Sequence, residues 1–214
     1  MRQVFILLLA PGFCHGALFL SGSSYTQNID NIGSGLPDGW SVWTVATVGS
    51  LGTETTFSTA HANWANTSGA FKNSASAEIG SGATDTQQLN ATDRAVAVRQ
   101  TTFGDPGAAL VLRIENTTGF TEFSLSFKAQ MLSVQPRSTI WTFDYRIGNT
   151  GDFTALGTYI DPGVFDSTTE AFTPSDLAAW NNQSSPVYLR VAALSASTGL
   201  GSRDTFGIDD FQLD

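Results

Sequence analysis

From Glu122 to Met131 the chain alternates. Phe123, Leu125, Phe127, Ala129 and Met131 fall on one side, and Glu122, Ser124, Ser126, Lys128 and Gln130 on the other. A period of two predicts a half-buried β-strand and does not fit the 3.6-residue stripe of an amphipathic helix. Leu132 and Val134 change phase, which predicts a bulge near Met131. The same alternation recurs over Ile140 to Ile147, where Trp141, Phe143, Tyr145 and Ile147 share a side opposite Thr142, Asp144 and Arg146. Leu110, Leu112 and Ile114 form another such set, as do Val96 with Val98, and Val187, Leu189 and Val191. Trp40 to Val48, Phe153 to Ile160 and Phe206 to Leu213 are further strand candidates. Turn clusters separate them: Gly104-Asp105-Pro106-Gly107, Gly148-Asn149-Thr150-Gly151 and Asp161-Pro162-Gly163. Short strands at close intervals, punctuated by Gly, Pro and Asn, predict an all-β antiparallel sandwich. One short helix is expected from Pro174 to about Trp180, with Thr173 as N-cap, Pro174 at N1 and Asp176 at N3. The Ser/Ala/Asn/Thr/Gly-rich stretch from Ser58 to Asp93 reads as long loops with one short strand near Ala70 to Asn73.

The first residues follow a different rule. Met1-Arg2 precedes an apolar run from Val4 to Leu9 that continues to Phe13, and Cys14-His15-Gly16-Ala17 supplies the small residues of a cleavage site. This predicts a secretory signal peptide over residues 1–17, followed by one domain over residues 18–214. The run is too short for a membrane-spanning helix. Removing it takes away the one Cys and one of the two His, leaving His61. Such a mature chain has no disulfide, no Cys-ligated zinc and no Cys nucleophile, which suits a bacterial protein of the envelope or the medium.

The 214-residue chain carries 10 Lys and Arg against 19 Asp and Glu, a net charge of −9, with charged residues only 14% of the total. That composition excludes a basic stripe that tracks nucleic-acid phosphates. It also excludes long charged helices. The surface is built from Ser, Thr, Asn, Gln and Gly, which suits neutral glycans better than anionic ones.

Both ends of the domain carry motifs. Tyr25-Thr26-Gln27-Asn28-Ile29-Asp30-Asn31 is followed by Gly33-Ser34-Gly35-Leu36-Pro37-Asp38-Gly39-Trp40, and the chain closes with Gly207-Ile208-Asp209-Asp210-Phe211-Gln212-Leu213. This pairing resembles secreted bacterial jelly-roll β-sandwich modules: carbohydrate-binding modules, MAM-like domains and adhesion-type modules. The resemblance implies a jelly roll whose first and last strands meet, and a structural Ca²⁺ tying them together. Asp30 matches the first-strand ligand position and Asp209 the last. The residues alone leave more open. If Phe211 and Leu213 face the core, strand alternation turns Asp209 inward too. A buried carboxylate then needs a cation, backbone N–H donors or an Arg.

No catalytic constellation stands out. Glu54, Glu78, Glu115, Glu122 and Glu170 form no cluster on one strand face, whereas glycoside hydrolysis needs two carboxylates across a cleft. No G-x-S-x-G elbow accompanies His61. Aromatic residues offer binding chemistry instead. Trp43 lies opposite Trp40 on its strand, and Trp64 sits in the polar loop region. These two are the candidate ligand contacts. The expectation is a secreted, non-catalytic binding or adhesion module with polysaccharide as the favoured ligand. A glycan-active hydrolase or lyase and a structural surface-layer or matrix module are the alternatives.

Overall fold

The alternating segments pair as two packed sheets in a computed structural model that describes residues 16–102 and 104–214. Residues 1–15, most of the expected signal peptide, lie outside the described residues. In chain order the strands are β1 (Tyr25–Gln27), β2 (Trp40–Thr44), β3 (Thr53–Thr55), β4 (Ser58–Ala62) and β5 (Phe71–Ala75). Helix α1 (Asp85–Asn90) follows, then β6 (Arg94–Val98), β7 (Ala109–Ile114), β8 (Leu125–Ser133) and β9 (Trp141–Ile147). The last are β10 (Thr154–Tyr159), β11 (Asp166–Phe172), β12 (Val187–Ala192) and β13 (Thr205–Leu213). One sheet has six strands in the order β10-β9-β12-β7-β2-β3. The other has seven, β11-β8-β13-β6-β5-β4, with β1 also on β13. Among the described residues, every pairing between these strands is antiparallel except β4 with β5. Among the described residues no helix is long and apolar enough to cross a membrane.

The expected inward residues form one core. Leu125, Phe127, Ala129 and Met131 meet Trp141, Phe143, Leu110, Leu112, Val187 and Leu189 between the sheets. The phase change at Leu132 is a bulge. Thr205 and Phe206 are consecutive on β13 but pair with Ser133 and Met131, leaving Leu132 unmatched. Leu132 therefore points to the outer face, beside Trp64 and Ala97. The first and last strands meet as expected, with Tyr25 opposite Leu213 and Gln27 opposite Phe211. Trp40 clamps the junction. Its indole N–H donates to the Tyr25 hydroxyl at 2.9 Å and its ring stands edge-on to Phe211.

Three expectations need correction. The helix at Pro174 to Trp180 is a turn ending in a short 3-10 segment, Ala178–Trp180. Its cap contacts do form, with the Asp176 carboxylate accepting from the Thr173 backbone N–H at 2.8 Å. The α-helix lies instead in the region read as loops, where Thr84 and Gln87 make a reciprocal capping box. The third concerns Asp209. It is fully buried, but it does not face the core. Asp210 has a φ of 46° and the β13–β8 register shifts between Asp209 and Gln212. The kink resets the alternation, so Ile208 and Phe211 both point inward while Asp209 turns outward beside Lys128.

Candidate functional site

The outer face of the six-stranded sheet is a lattice set by register. Inward Trp40 and Val42 on β2 leave Ser41 and Trp43 outward. Inward Leu110 and Leu112 on β7 leave Ala109, Val111 and Arg113 outward, and β12 contributes Tyr188 and Arg190. Glu54, Trp43 and Ala109 lie in one row, Ser41, Val111, Arg190 and Asp144 in the next, and Arg113, Tyr188 and Arg146 in the third.

Part of this face is covered by the loop joining β2 to β3. Arg190 is fully buried and meets Asp144 through two bonds, Nε to Oδ1 at 2.8 Å and Nη2 to Oδ2 at 2.6 Å. Its Nη1 donates to the carbonyls of Thr47 at 2.7 Å and Ser50 at 2.9 Å, which holds the loop down. The guanidinium carbon also sits 3.7 Å from the Phe153 ring centre, a cation–π contact. Burial raises the Asp144 pKa, and Arg190 offsets part of that rise. The loop can lie this close only because residue 52 is glycine. Its φ is +88°, and a Cβ there would fall 2.1 Å from the Thr44 carbonyl oxygen.

Beside the covering loop the sheet stays open. A cleft of about 250 Å³ is lined by Leu51, Trp43, Ser41, Glu54, Val111, Arg113 and Tyr188, with Gly39 and with Gly16 and Ala17, the last two residues of the expected signal peptide. Gly39 lets the segment at residues 16–18 run over the sheet, since a Cβ there would be 2.7 Å from the Leu18 Cβ. Trp43 is half-buried and donates its indole N–H to Ser41 Oγ at 2.8 Å, which fixes the ring. The Tyr188 hydroxyl donates to Asn149 at 2.7 Å. Arg113 is drawn to Glu115 at 2.6 Å. The cleft thus offers an aromatic face, a hydroxyl, a carboxylate and a guanidinium within one small-molecule-sized space, the usual makeup of an orienting pocket.

Of the four expected site residues, Trp43 alone is in this cleft. Trp64 is 5% exposed, gives its indole N–H to the Ala75 carbonyl at 2.8 Å and packs on Phe165. Asp30 accepts from the Arg94 backbone N–H at 3.0 Å and from the Asn28 amide at 2.6 Å. Asp209 lies on the far sheet, under the turn at Ser76–Glu78. Its Oδ1 accepts from the Asp210 N–H at 2.7 Å, while Oδ2 has no hydrogen-bond partner. Burial, together with Asp210 and Asp93, pushes its pKa up to about 7, and the neighbouring Ser76 hydroxyl and Asp210 N–H offset only part of this. Lys128 binds Glu78 and Asp210 rather than Asp209, at 2.6 and 2.8 Å. Among the described residues no group of three His, Cys, Asp or Glu side chains is placed to hold a metal ion. His61 Nδ1 lies 2.6 Å from the Leu89 carbonyl, on the surface.

Tyr188, Arg113, Glu54 and Ser41 were not among the sequence candidates. The signal existed for Tyr188 alone, an aromatic residue at an outward position between Val187 and Leu189. The others join the cleft only through strand order.

No protein-family model matches the chain. No curated protein matches it either. Among solved structures it is similar to the K1 cleaved adhesin domain of Lys-gingipain from Porphyromonas gingivalis W83, at 13% identity over 90% of this chain and 98% of that one, with a TM-score of 0.46. It is also similar to the xylan-binding module CBM15, at 11% identity over 89% of this chain and 94% of that one, with a TM-score of 0.47. A third is TmCBM61, solved with β-1,4-galactotriose, at 13% identity over 72% of this chain and 90% of that one, with a TM-score of 0.41. Carbohydrate-binding and adhesin modules are the classes named by the sequence resemblance. At these values the chemistry of the site has to be read from this chain's own residues.

Proposed function

We propose that the protein is an extracellular, non-catalytic binding module that takes a stretch of neutral polysaccharide into the cleft beside Trp43. The half-exposed, hydrogen-bond-oriented indole of Trp43 carries this reading. A sugar ring presents an apolar C–H face that an indole can cover, and the Ser41 hydroxyl, Glu54 and Arg113 are placed for its hydroxyls. Glu54 is the one carboxylate among the residues lining the cleft, which favours binding over two-carboxylate hydrolysis. Retention in gels containing soluble xylan or galactan tests it. Trp43→Ala is expected to abolish retardation while the protein stays folded. Equal retardation of both proteins refutes the cleft, and release of reducing ends refutes the non-catalytic part.

The orphaned Asp209 Oδ2 supports a structural Ca²⁺ on the outer side of β13, under the turn at Ser76–Glu78, as a second element of this reading. Asp209 offers a hard cation one buried carboxylate oxygen, and backbone carbonyls and water would have to supply the other ligands, since no cluster of three acidic side chains is placed there among the described residues. Asp30 fits less well, because both its oxygens are engaged. A melting temperature lowered by EDTA in the wild type but not in Asp209→Ala is the expected result. An unchanged curve removes calcium.

A further inference from the structure

A second pocket, of about 380 Å³, lies where β6 runs out into the loop toward β7. Thr67, Gln100, Thr101 and Ser202 line it, together with Arg99 and Arg203. Basic residues are scarce here, 10 in the whole chain, yet four of them gather at this place. Lys72 feels the charge of Arg99, and Arg137 and Arg203 share Asp105 at 3.0 and 2.7 Å. The opposing charges are Asp105, already held by those two arginines, and Asp204, which acts on Arg99 through space.

The donors in the pocket are underused. Arg99 is 5% exposed and spends three of its five N–H groups, on Thr205 Oγ1 at 2.8 Å, the Ala65 carbonyl at 3.0 Å and Ser133 Oγ at 3.3 Å. None of these partners is a carboxylate. Arg203 is engaged through Nε, by Asp105 and Ser197, and its two Nη groups have no partner among the described residues. Gln100 is 4% exposed, and its buried Nε2 has no hydrogen-bond partner. Burying N–H donors without acceptors is costly, so a pocket that keeps them is suited to an acceptor-rich ligand. Two guanidinium groups favour a planar oxyanion, and surrounding hydroxyls and an amide favour a polyol.

We propose that this pocket binds the carboxylate end of an acidic sugar, a hexuronate, with Arg203 and Arg99 on the carboxylate and Thr67, Thr101, Ser202 and Gln100 on the ring hydroxyls. The site is separate from the Trp43 cleft and does not depend on it. The test is an amide-resolved NMR titration of the full chain with glucuronate, and with glucose, which has the same ring without the acid. Glucuronate is expected to shift the amides of residues 99–102 and 201–203, weakening as salt is added, while glucose leaves them unmoved. Arg203→Gln is expected to cost about tenfold in affinity, and Trp43→Ala nothing. Should Arg203→Gln lose its fold with the Asp105 contact, Thr101→Val decides, with an expected loss of about threefold. Equal response to glucose, shifts confined to the Trp43 cleft, no response to glucuronate, or unchanged affinity in the informative variant each overturns the proposal. Loss of neutral-glycan binding in the gels leaves it standing.

Discussion

On the outer face of the six-stranded sheet, Arg190 donates two hydrogen bonds to the Asp144 carboxylate and the covering loop closes over them. On the outer face of the seven-stranded sheet, Asp209 is as deeply buried, yet one of its oxygens has no partner. The flanking residues explain how each face is used. Ala75, Ala77, Ala95 and Ala97 are small, so Trp64 and the turn at Ser76–Glu78 pack down onto the seven-stranded sheet and seal it. Trp43, Tyr188 and Arg113 are large, so the loop over the six-stranded sheet covers only part of it and a cleft remains. A large outward residue is covered only where the cover satisfies it, as the Thr47 and Ser50 carbonyls do for Arg190.

The largest expected effect comes from breaking the paired face. Asp144→Ala leaves the Arg190 guanidinium buried without its counter-charge, and a loss of about 3–5 kcal/mol is expected in urea unfolding. The same step frees the loop at residues 45–52, so faster amide exchange there should accompany it. A loss under about 1 kcal/mol would mean that the pair is not the anchor described.

The unpaired face predicts the opposite sign. A rise of the Asp209 pKa from 3.8 to about 7 penalises the ionised form, at about 1.4 kcal/mol for each pH unit. In EDTA at pH 8, Asp209→Asn should therefore stabilise the protein by about 2–4 kcal/mol. Destabilisation would show that the carboxylate has a hydrogen-bond donor the geometry lacks. Asp204 gives a smaller version of the same argument. Burial is the main cause of its pKa of about 6, and its Oδ2 also lacks a partner. A raised carboxyl pKa means that the native state holds the proton more tightly than the unfolded chain. The stability this confers is full below about pH 4 and is lost as pH climbs through about 6. Asp105, depressed by Ser197 and Arg203 against its own burial cost, works the other way and below that window. Between pH 4.5 and 6.5 the wild type should lose about 1–3 kcal/mol relative to Asp204→Asn, and parallel profiles would exclude Asp204 as the cause.

The contrast between the faces was only half legible in the residues. The inward set of each long strand, from Phe127 and Ala129 to Leu189 and Val191, is the core because period-two alternation has one physical meaning. The bulge at Leu132 was visible as a phase break. The kink at Asp210 was not, since it requires a left-handed backbone at a residue that gives no sign of it. Helix α1 did carry a sign, the capping box Thr84-Asp85-Thr86-Gln87, but six residues make too short a run for apolar periodicity. At the site, Trp43 was readable as the outward partner of Trp40. Trp64 was not readable as buried, because the alanines that accept it come from β5, β6 and the turn after β5. A residue's outward direction is local. Whether anything covers it depends on strand order, which brings Glu54, Trp43, Arg113 and Tyr188 together from four strands.

That coverage can be measured with little disturbance to the protein. Trp40, Trp64, Trp141 and Trp180 are each at most 5% exposed, whereas Trp43 is half-buried at the cleft. Iodide in solution should therefore quench one tryptophan of five, and Trp43→Phe should remove the quenchable fraction. Because Trp43 leans on an open face, its loss should change stability by less than about 1 kcal/mol. A polysaccharide seated on the indole would shield it, so saturating ligand should suppress quenching in the wild type and do nothing in Trp43→Phe. Quenching spread over several tryptophans would show that the seven-stranded face opens in solution, which would undo the contrast drawn from its alanines. Quenching confined to Trp43 but indifferent to every glycan would keep the contrast and remove the sugar from the cleft.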